Sequence, residues 1–236
     1  MRDGIIAAMA TDPDTHIALA SASPRRRRLF AMLGLPYSCT ATSTAEDLDS
    51  PLAANPGALV AALAADKASA AREADFEGPV IAFDTVVLHD SRILGKPSDL
   101  DEARRMLTGL SGRIHRVATG VALLASGDTS PETFAVITPV RMRDLTFEDI
   151  DAWVARGELL GCAGAYNIES HLAEVDLDQC FQNVAGIPLC HVYAALYRKS
   201  ERLGLPPPTS PVGACDAARQ VRCLLGPGLV AEVAHP

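Results

Sequence analysis

The stretch HIALASASPRRRRLFAMLG, residues 16–34, joins an apolar run, a polar turn and a basic segment. Its first five residues are typical of a buried strand, which ends abruptly at Ser21. Ser23 followed by Pro24 predicts a helix start, because a serine hydroxyl caps free N–H groups and proline suits the first helical position. Gly34 predicts the end of that helix. The segment is therefore a predicted strand–turn–helix unit.

The chain that follows, up to about residue 199, mixes strand-like apolar runs with helical periodicity. Strands are predicted at 37–41, 79–88, 114–125, 132–142, 172–176 and 179–182. Helices are predicted at 57–73, 99–110 and 146–156 and around 189–196. The two long strands are consecutive, which indicates an antiparallel pair. We therefore predict an α/β fold with a mixed sheet and flanking helices rather than a strict βαβ alternation.

Composition excludes several classes of protein. The 236 residues are 48% hydrophobic and 21% charged, with a mean hydropathy of +0.14, which excludes a mainly disordered chain. No apolar run reaches the roughly 18 to 20 residues that a membrane-spanning helix needs. The net charge of −8 disfavours binding to nucleic acid phosphates. We therefore expect neither a membrane nor a nucleic acid as partner.

The cysteines and the N-terminus bear on the compartment. Six cysteines are scattered without a Cys-x-x-Cys pair, which is too sparse for a disulfide scaffold and lacks the spacing of zinc ligands. Residues 1–14 lack an adequate apolar core followed by a cleavage site. We expect free thiols and a cytoplasmic protein.

The character of the sequence changes at two points. Residues 1–14 are predicted to be a loose extension, and residues 15–199 to form the domain. Residues 200–236 begin with a Pro-rich linker and continue as a tail of unassigned role, with a possible helix near 214–225.

Asp84 is the first residue that suggests chemistry. It lies inside the apolar run VIAFDTVVL, where a carboxylate is costly unless it is paired, hydrogen-bonded or bound to a metal. At the end of a strand it is a candidate general base or metal ligand. The alternative, given equal weight, is that a bulge turns it outward or that it caps a turn with Thr85.

The segment from Ser21 to Arg26 is the second candidate. A strand end there delivers two hydroxyl groups, of Ser21 and Ser23, together with the guanidinium groups of Arg25 and Arg26. Such a set suits a phosphate group. An ordinary capped helix with a solvated basic turn is the alternative, and the spacing alone slightly favours it.

Lysine is scarce in this chain. Of the 21 cationic residues only three are lysines, Lys67, Lys96 and Lys199. Lys67 prolongs the apolar face of the predicted 57–73 helix, so its stem can pack while its ammonium group reaches a cleft. Lys96 stands before a proline that restricts the local backbone. The alternative for each is a surface lysine.

The predicted loop before residue 57 contains acidic residues. Glu46 and Asp47 are candidates to join Asp84 around a Mg²⁺ or Mn²⁺ ion, since these ions prefer oxygen ligands. Solvated loop charges are the alternative.

Seven motifs in a fixed order carry a family resemblance. They are LASASPRR, FDTVV, ILGKP, LSGRIH, TGVAL, CAGAYNIE and NVAGIPL. Over about residues 15–198 the chain resembles the Maf family of nucleoside triphosphate pyrophosphatases. The resemblance implies an elongated fold of the inosine-triphosphatase type, with two lobes around a nucleotide cleft, and a homodimer. It also implies hydrolysis of an NTP to NMP and pyrophosphate with a divalent metal, and a link to septum formation.

The resemblance assigns roles by position. It places the proton acceptor at Asp84 and the two functional lysines at Lys67 and Lys96. An acidic residue associated with the metal falls on Glu46. The phosphate-contacting positions fall on Ser21, Ser23, Arg25 and Arg26, and the base-selecting positions on Arg25, Thr85 and Glu169.

The base-selecting positions are mixed. Thr85 matches a branch that acts on dTTP and UTP, whereas Cys162 and Glu169 match a branch that acts on 7-methyl-GTP. A carboxylate at 169 can accept from guanine N–H groups or attract a cationic base, which favours a purine or modified base. The Asp-Thr pair favours a pyrimidine instead.

A rival hypothesis is a nucleotide-binding regulator of cell division with little catalysis. The set of Asp84, Lys67, Lys96 and Glu46 disfavours it, because binding alone does not require these groups together.

Overall fold

A computed structural model describes residues 16–42, 44, 47, 48, 50–74, 76–90 and 92–234. The strands in these residues are β1 (Ile17–Ala20), β2 (Tyr37–Cys39), β3 (Val80–His89), β4 (Arg92–Leu94), β5 (Ile114–Leu124), β6 (Glu132–Met142) and β7 (Ala173–Glu174). The α-helices are α1 (Pro24–Phe30), α2 (Pro56–Glu73), α3 (Leu100–Leu110), α4 (Phe147–Val154), α5 (Phe181–Val184), α6 (Leu189–Lys199), α7 (Val212–Arg219) and α8 (Gly226–Ala234). Short 3₁₀ segments connect several of them.

The strands form one mixed sheet in the order β2-β1-β3-β5-β6-β7, with β4 paired to β3. β1 is parallel to both β2 and β3, because α1 and α2 provide the crossover connections. β5 is antiparallel to both β3 and β6, as expected for the two long consecutive strands, and β6 is antiparallel to β7. The predicted α/β class with a mixed sheet is confirmed.

The two faces of the sheet have different side chains. On β1, Ile17 and Leu19 face a large core that also contains apolar residues of α1, α3, α4 and α6. Ala18 and Ala20 face the other way, toward the alanines of α2. Small side chains on both surfaces let α2 lie close to the sheet.

α2 comes closest to the sheet at Gly120 of β5. A Cβ atom added at this glycine would lie 2.0 Å from the carbonyl oxygen of Val60 and 2.6 Å from the backbone nitrogen of Ala61. Only a residue without a side chain fits this crossing. Gly120 is the register partner of Asp84 on β3, so this close helix–sheet contact lies beside the candidate site.

Most local predictions are confirmed. Ser23 caps α1, Gly34 has a left-handed backbone conformation, and Thr146 caps α4 in a capping box. The strand predicted at 179–182 is wrong, since the chain there enters the helical turn α5. A four-residue segment with two apolar residues, Cys180 and Phe181, does not distinguish a strand from one helical turn.

Residues beyond the last core helix pack back onto the domain. Leu203, Leu205 and Val233 are buried, and the N–H of Thr209 donates to the carbonyl of Leu33, 2.8 Å away. The helix predicted near 214–225 ends earlier, at Arg219, and α8 follows it. In the described part of the chain, no helix combines the length and apolar character needed to cross a membrane.

Candidate active site

A cleft of about 770 Å³ opens beside the end of β1 and the middle of β3, where Asp84 lies inside the strand rather than at its predicted end. Its volume is in the range of small-molecule sites. The predicted site residues that line it are Ser21, Ser23, Arg25, Arg26, Lys67, Asp84, Thr85, Lys96 and Glu169. Glu46 lies outside the described residues. Folding thus brings together groups that are up to about 150 positions apart in the chain.

Asp84 is at the centre of this cleft and is only 2% exposed. It points to the α2 side of the sheet, where its Oδ1 forms an ion pair with Nζ of Lys67. Its Oδ2 is buried and has no hydrogen-bond partner among the described residues. The alternative in which Asp84 turns outward is wrong. One carboxylate oxygen is held by an ammonium group, and the other remains able to accept a proton or a ligand.

The two predicted serines form the turn after β1. The N–H of Ser23 donates to Oγ of Ser21 at 3.2 Å, and Oγ of Ser23 accepts from the N–H of Arg26 at 3.4 Å. Ser21 is 7% exposed. Both hydroxyl groups are therefore held at the wall of the cleft by the local backbone.

Arg26 connects the segments on either side of Asp84. Its guanidinium donates to the carbonyl of Phe83 at 2.8 Å and to Oγ1 of Thr85 at 2.9 Å. Its Nε also donates to the carbonyl of Gly186 at 3.1 Å. Arg26 thus ties β3 to the loop after α5, with Asp84 between its two contacts on the strand.

Thr85 belongs to a second polar network on the opposite face of β3. Its Oγ1 lies 3.0 Å from Oγ1 of Thr119, which donates to the carbonyl of Asn183. The Asn183 amide, fully buried, donates in turn to the carbonyl of Val117 and to Oγ1 of Thr138. This network fixes the loop at 184–186, which lines the cleft. The sequence indicated a glycine-marked segment there but not the anchoring role of its asparagine.

Two arginines of α1 contact the segment at 158–169. Nη2 of Arg25 donates to Sγ of Cys162 at 3.1 Å. Nη2 of Arg28 lies 2.5 Å and 2.7 Å from the two carboxylate oxygens of Glu169, and both residues line the cleft. Sequence reasoning missed Arg28. Its spacing of three from Arg25, one face of a helix, was the signal.

A buried histidine lies beneath this end of the cleft. Nε2 of His115 is 2.7 Å from Oη of Tyr166, which lines the cleft. Burial, with a smaller effect from His89, lowers the pKa of His115 from 6.5 to about 4. Burial also raises the pKa of Tyr166 above its ordinary range. Both groups are therefore neutral near pH 7.

Among the described residues, one buried carboxylate oxygen without a hydrogen-bond partner, Oδ2 of Asp84, is a candidate ligand for a divalent metal. They contain no group of three or more His, Cys, Asp and Glu side chains placed to hold a metal. The unpartnered Oδ2 of Asp84 is a suitable hard donor. Mg²⁺ is commonly bound by one or two carboxylates together with substrate phosphates and water, so a single protein oxygen fits such an ion.

Comparison with known proteins gives concordant matches. The family described as Maf-like protein matches residues 16–199. A dTTP/UTP pyrophosphatase of Bacillus cereus strain B4264 is 38% identical over 182 residues, covering 76% of this chain and 93% of that protein. The protein of the same name from Bacillus cytotoxicus is 39% identical over 180 residues, covering 75% and 92%.

A solved structure was also matched, that of a nucleoside-triphosphatase / dITP/XTP pyrophosphatase from Mycobacterium abscessus. It is 13% identical, with a TM-score of 0.34, and the match covers 54% of this chain and 73% of that one. The sequence matches reach across most of the domain and of the relatives. On these matches, the chain belongs to the Maf-like protein family.

Proposed function

We propose that this chain is a nucleoside triphosphate pyrophosphatase that hydrolyses pyrimidine nucleoside triphosphates, NTP + H₂O → NMP + pyrophosphate. The observation that carries the proposal is the buried Asp84 in a nucleotide-sized cleft, with one oxygen paired to Lys67 and the other without a partner. The names of the Bacillus relatives, dTTP/UTP pyrophosphatase, support the reaction and the pyrimidine preference.

In this proposal water attacks the α-phosphorus and pyrophosphate leaves. Oδ2 of Asp84 orients the water and accepts its proton, while Lys67 holds the carboxylate in place through Oδ1. Oδ2 is open to this proton because the atom lies beside the cleft and makes no hydrogen bond to the described residues. Asp84 thus supplies the general base.

The phosphates are held by groups along the wall of the cleft. The hydroxyls of Ser21 and Ser23 and the guanidinium of Arg25 contact the triphosphate, and Lys67 and Lys96 offset the charge that develops in the transition state. Three contacts of Arg26 are already made to protein atoms. We therefore assign Arg26 to holding Asp84 and the 184–186 loop in register beside the phosphates.

A divalent ion, Mg²⁺ or Mn²⁺, fits the same place. Glu46 would hold the ion directly beside the substrate phosphates, and Asp84 would hold it through the water that its Oδ2 orients. When bound, the ion supplies neutralisation of phosphate charge. The residues of the chain supply position and the acceptor for the proton.

The test is pyrophosphate release from a panel of canonical and modified NTPs, assayed with Mg²⁺ and with Mn²⁺. We expect dTTP and UTP to be the best substrates of the native chain and Asp84→Asn to lose activity by at least about 10³-fold. Asp101→Asn, a change of an exposed carboxylate on α3, is the matched control and should retain full turnover. Circular dichroism verifies that each variant is folded.

Two outcomes would contradict parts of the proposal. Retained turnover in folded Asp84→Asn removes the role of Asp84. If no NTP yields pyrophosphate with the native chain while one of them raises its melting temperature, the chain is a nucleotide-binding regulator instead.

A further inference from the structure

The cleft contains an ion pair between α1 and the 3₁₀ turn at Ile168–Ser170. We propose that Arg28, through this pair with Glu169, is a specificity-determining residue that makes the cleft favour an uncharged base over a cationic one. The inference rests on the proposed pyrophosphatase activity and concerns the base that the same cleft selects.

The pair is bidentate at the carboxylate. Nη2 of Arg28 lies 2.5 Å from Oε1 and 2.7 Å from Oε2 of Glu169, so one donor group serves both acceptors. Side-chain exposure is 57% for Arg28 and 37% for Glu169, and both side chains line the cleft. A nucleotide in the cleft therefore meets a neutral ion pair rather than a lone carboxylate.

The backbone on both sides keeps the two groups adjacent. The N–H of Glu169 donates to Oδ1 of Asn167 at 3.1 Å, which fixes the turn that carries the carboxylate. On α1, Arg25 precedes Arg28 by one helical turn and contacts Cys162 of the same segment at 3.1 Å. Two contacts thus join the helix to this segment, and the Arg28–Glu169 pair is not an isolated surface encounter.

The pair is also set apart from the hydrolytic end of the cleft. Arg28 lies on α1, five residues after the N-cap Ser23, which corresponds to about 7.5 Å along the helix axis. Ser23 lies in the turn after β1, where the triphosphate is assigned. A nucleotide whose triphosphate lies at this turn and which extends along α1 therefore places its nucleoside, and not its phosphates, near Glu169.

Whether the Glu169 carboxylate is paired decides which groups the nucleoside contacts there. A lone carboxylate attracts a cationic base and accepts the N1–H and N2–H₂ donors of guanine. Pairing with Arg28 offsets the negative charge of the carboxylate and uses one acceptor site on each of its oxygens. A neutral pyrimidine loses nothing by this pairing, whereas a cationic N7-methylated guanine loses its electrostatic attraction. The sequence-based argument that Glu169 favours a purine holds only for an unpaired carboxylate.

The experiment compares kcat/KM for UTP and for 7-methyl-GTP, whose base carries a positive charge. In Arg28→Met the stem is kept and the charge removed, so the ratio of 7-methyl-GTP to UTP should rise at least 10-fold over that of the native chain. Arg27→Met, the same change at the neighbouring exposed position, which does not line the cleft, should leave the ratio within 3-fold. The double variant Arg28→Met/Glu169→Gln should also restore it to within 3-fold.

Each outcome bears on a separate claim. An unchanged ratio in Arg28→Met, or an equal rise in the double variant, overturns the role of the pair. A native chain that prefers 7-methyl-GTP overturns it as well, although pyrophosphatase activity stands. If the native chain releases pyrophosphate from neither substrate nor from the wider NTP panel, the proposed function fails rather than the role of Arg28.

Discussion

Gly120 offers a direct test of how the packing of α2 sets the active site. A Cβ atom at this position would lie 2.0 Å from the carbonyl oxygen of Val60 and 2.2 Å from its carbon. These are backbone atoms of a long helix, so no side-chain rotation relieves the overlap. Gly120→Ala must therefore move α2 away from β5.

The size of the movement follows from the contact distance. Non-bonded atoms prefer about 3.5 Å, so α2 has to retreat by roughly 1.5 Å. Lys67 is seven residues after Val60, about 10 Å along the same helix, and its ammonium pairs with Asp84. Because the helix moves as a unit, this pair is pulled apart as well.

We expect losses of both stability and activity. Overpacking of this kind costs about 3 kcal/mol, which lowers the melting temperature by roughly 6 to 12 °C in a domain of this size. A misplacement of about 1 Å at a catalytic group costs about 100-fold in turnover. Thermal unfolding and pyrophosphate release measure the two effects.

The matched control is Gly109→Ala in α3, where an added Cβ meets no atom within 4 Å. The same chemical change should stabilise the protein there by about 0.5 to 1 kcal/mol, because alanine is the better helix former. If Gly120→Ala has the melting temperature and the turnover of the native chain, the close approach of α2 does not hold Lys67 in place.

Two further predictions concern single charged groups. Lys67→Arg keeps the positive charge but replaces a compact ammonium group, 11% exposed, with a wider guanidinium group, so turnover should fall at least 10-fold. The control is Lys199→Arg, since Lys199 pairs with Glu132 and does not line the cleft; this change should leave turnover unaltered. The pKa of His115 is about 4 in the folded protein, against an ordinary value of 6.5, so the unfolded chain binds the proton more tightly. The free energy of unfolding should therefore fall as the pH drops from about 6.5 to about 4, by about 3 kcal/mol. Urea unfolding of the native chain and of His115→Gln at several pH values measures this contribution, which a parallel pH dependence in both proteins would contradict.

The lysine count shows how far sequence reasoning reached. Scarcity drew attention to Lys67 and Lys96, and both line the cleft. Their position follows from signals that act over a few residues. Lys67 continues a helical stripe, and Lys96 precedes a proline. Lys199, the third lysine, pairs with Glu132 at the protein surface. Composition alone did not separate these roles.

Polar contacts between distant segments were beyond the sequence. The sequence pattern around Arg26 is the same whether its guanidinium group binds a phosphate or protein carbonyls. In the structure it donates to the carbonyls of Phe83 and Gly186. The Arg28–Glu169 pair joins residues 141 positions apart. No local periodicity encodes which acceptor a guanidinium group meets, because its reach exceeds the spacing of neighbouring side chains.

The α/β class, the strand–turn–helix unit with its Ser23 cap and the candidate base or metal ligand at Asp84 all follow from the sequence alone. These depend on periodicity, capping and the cost of a buried charge, which act over a few residues. Only the packed fold shows that Asp84 faces α2 and pairs with Lys67, that Gly120 admits this helix, and that Arg28 forms an ion pair with Glu169. Those outcomes depend on which segments pack together, since charge partners and close approaches are set by contacts across the fold.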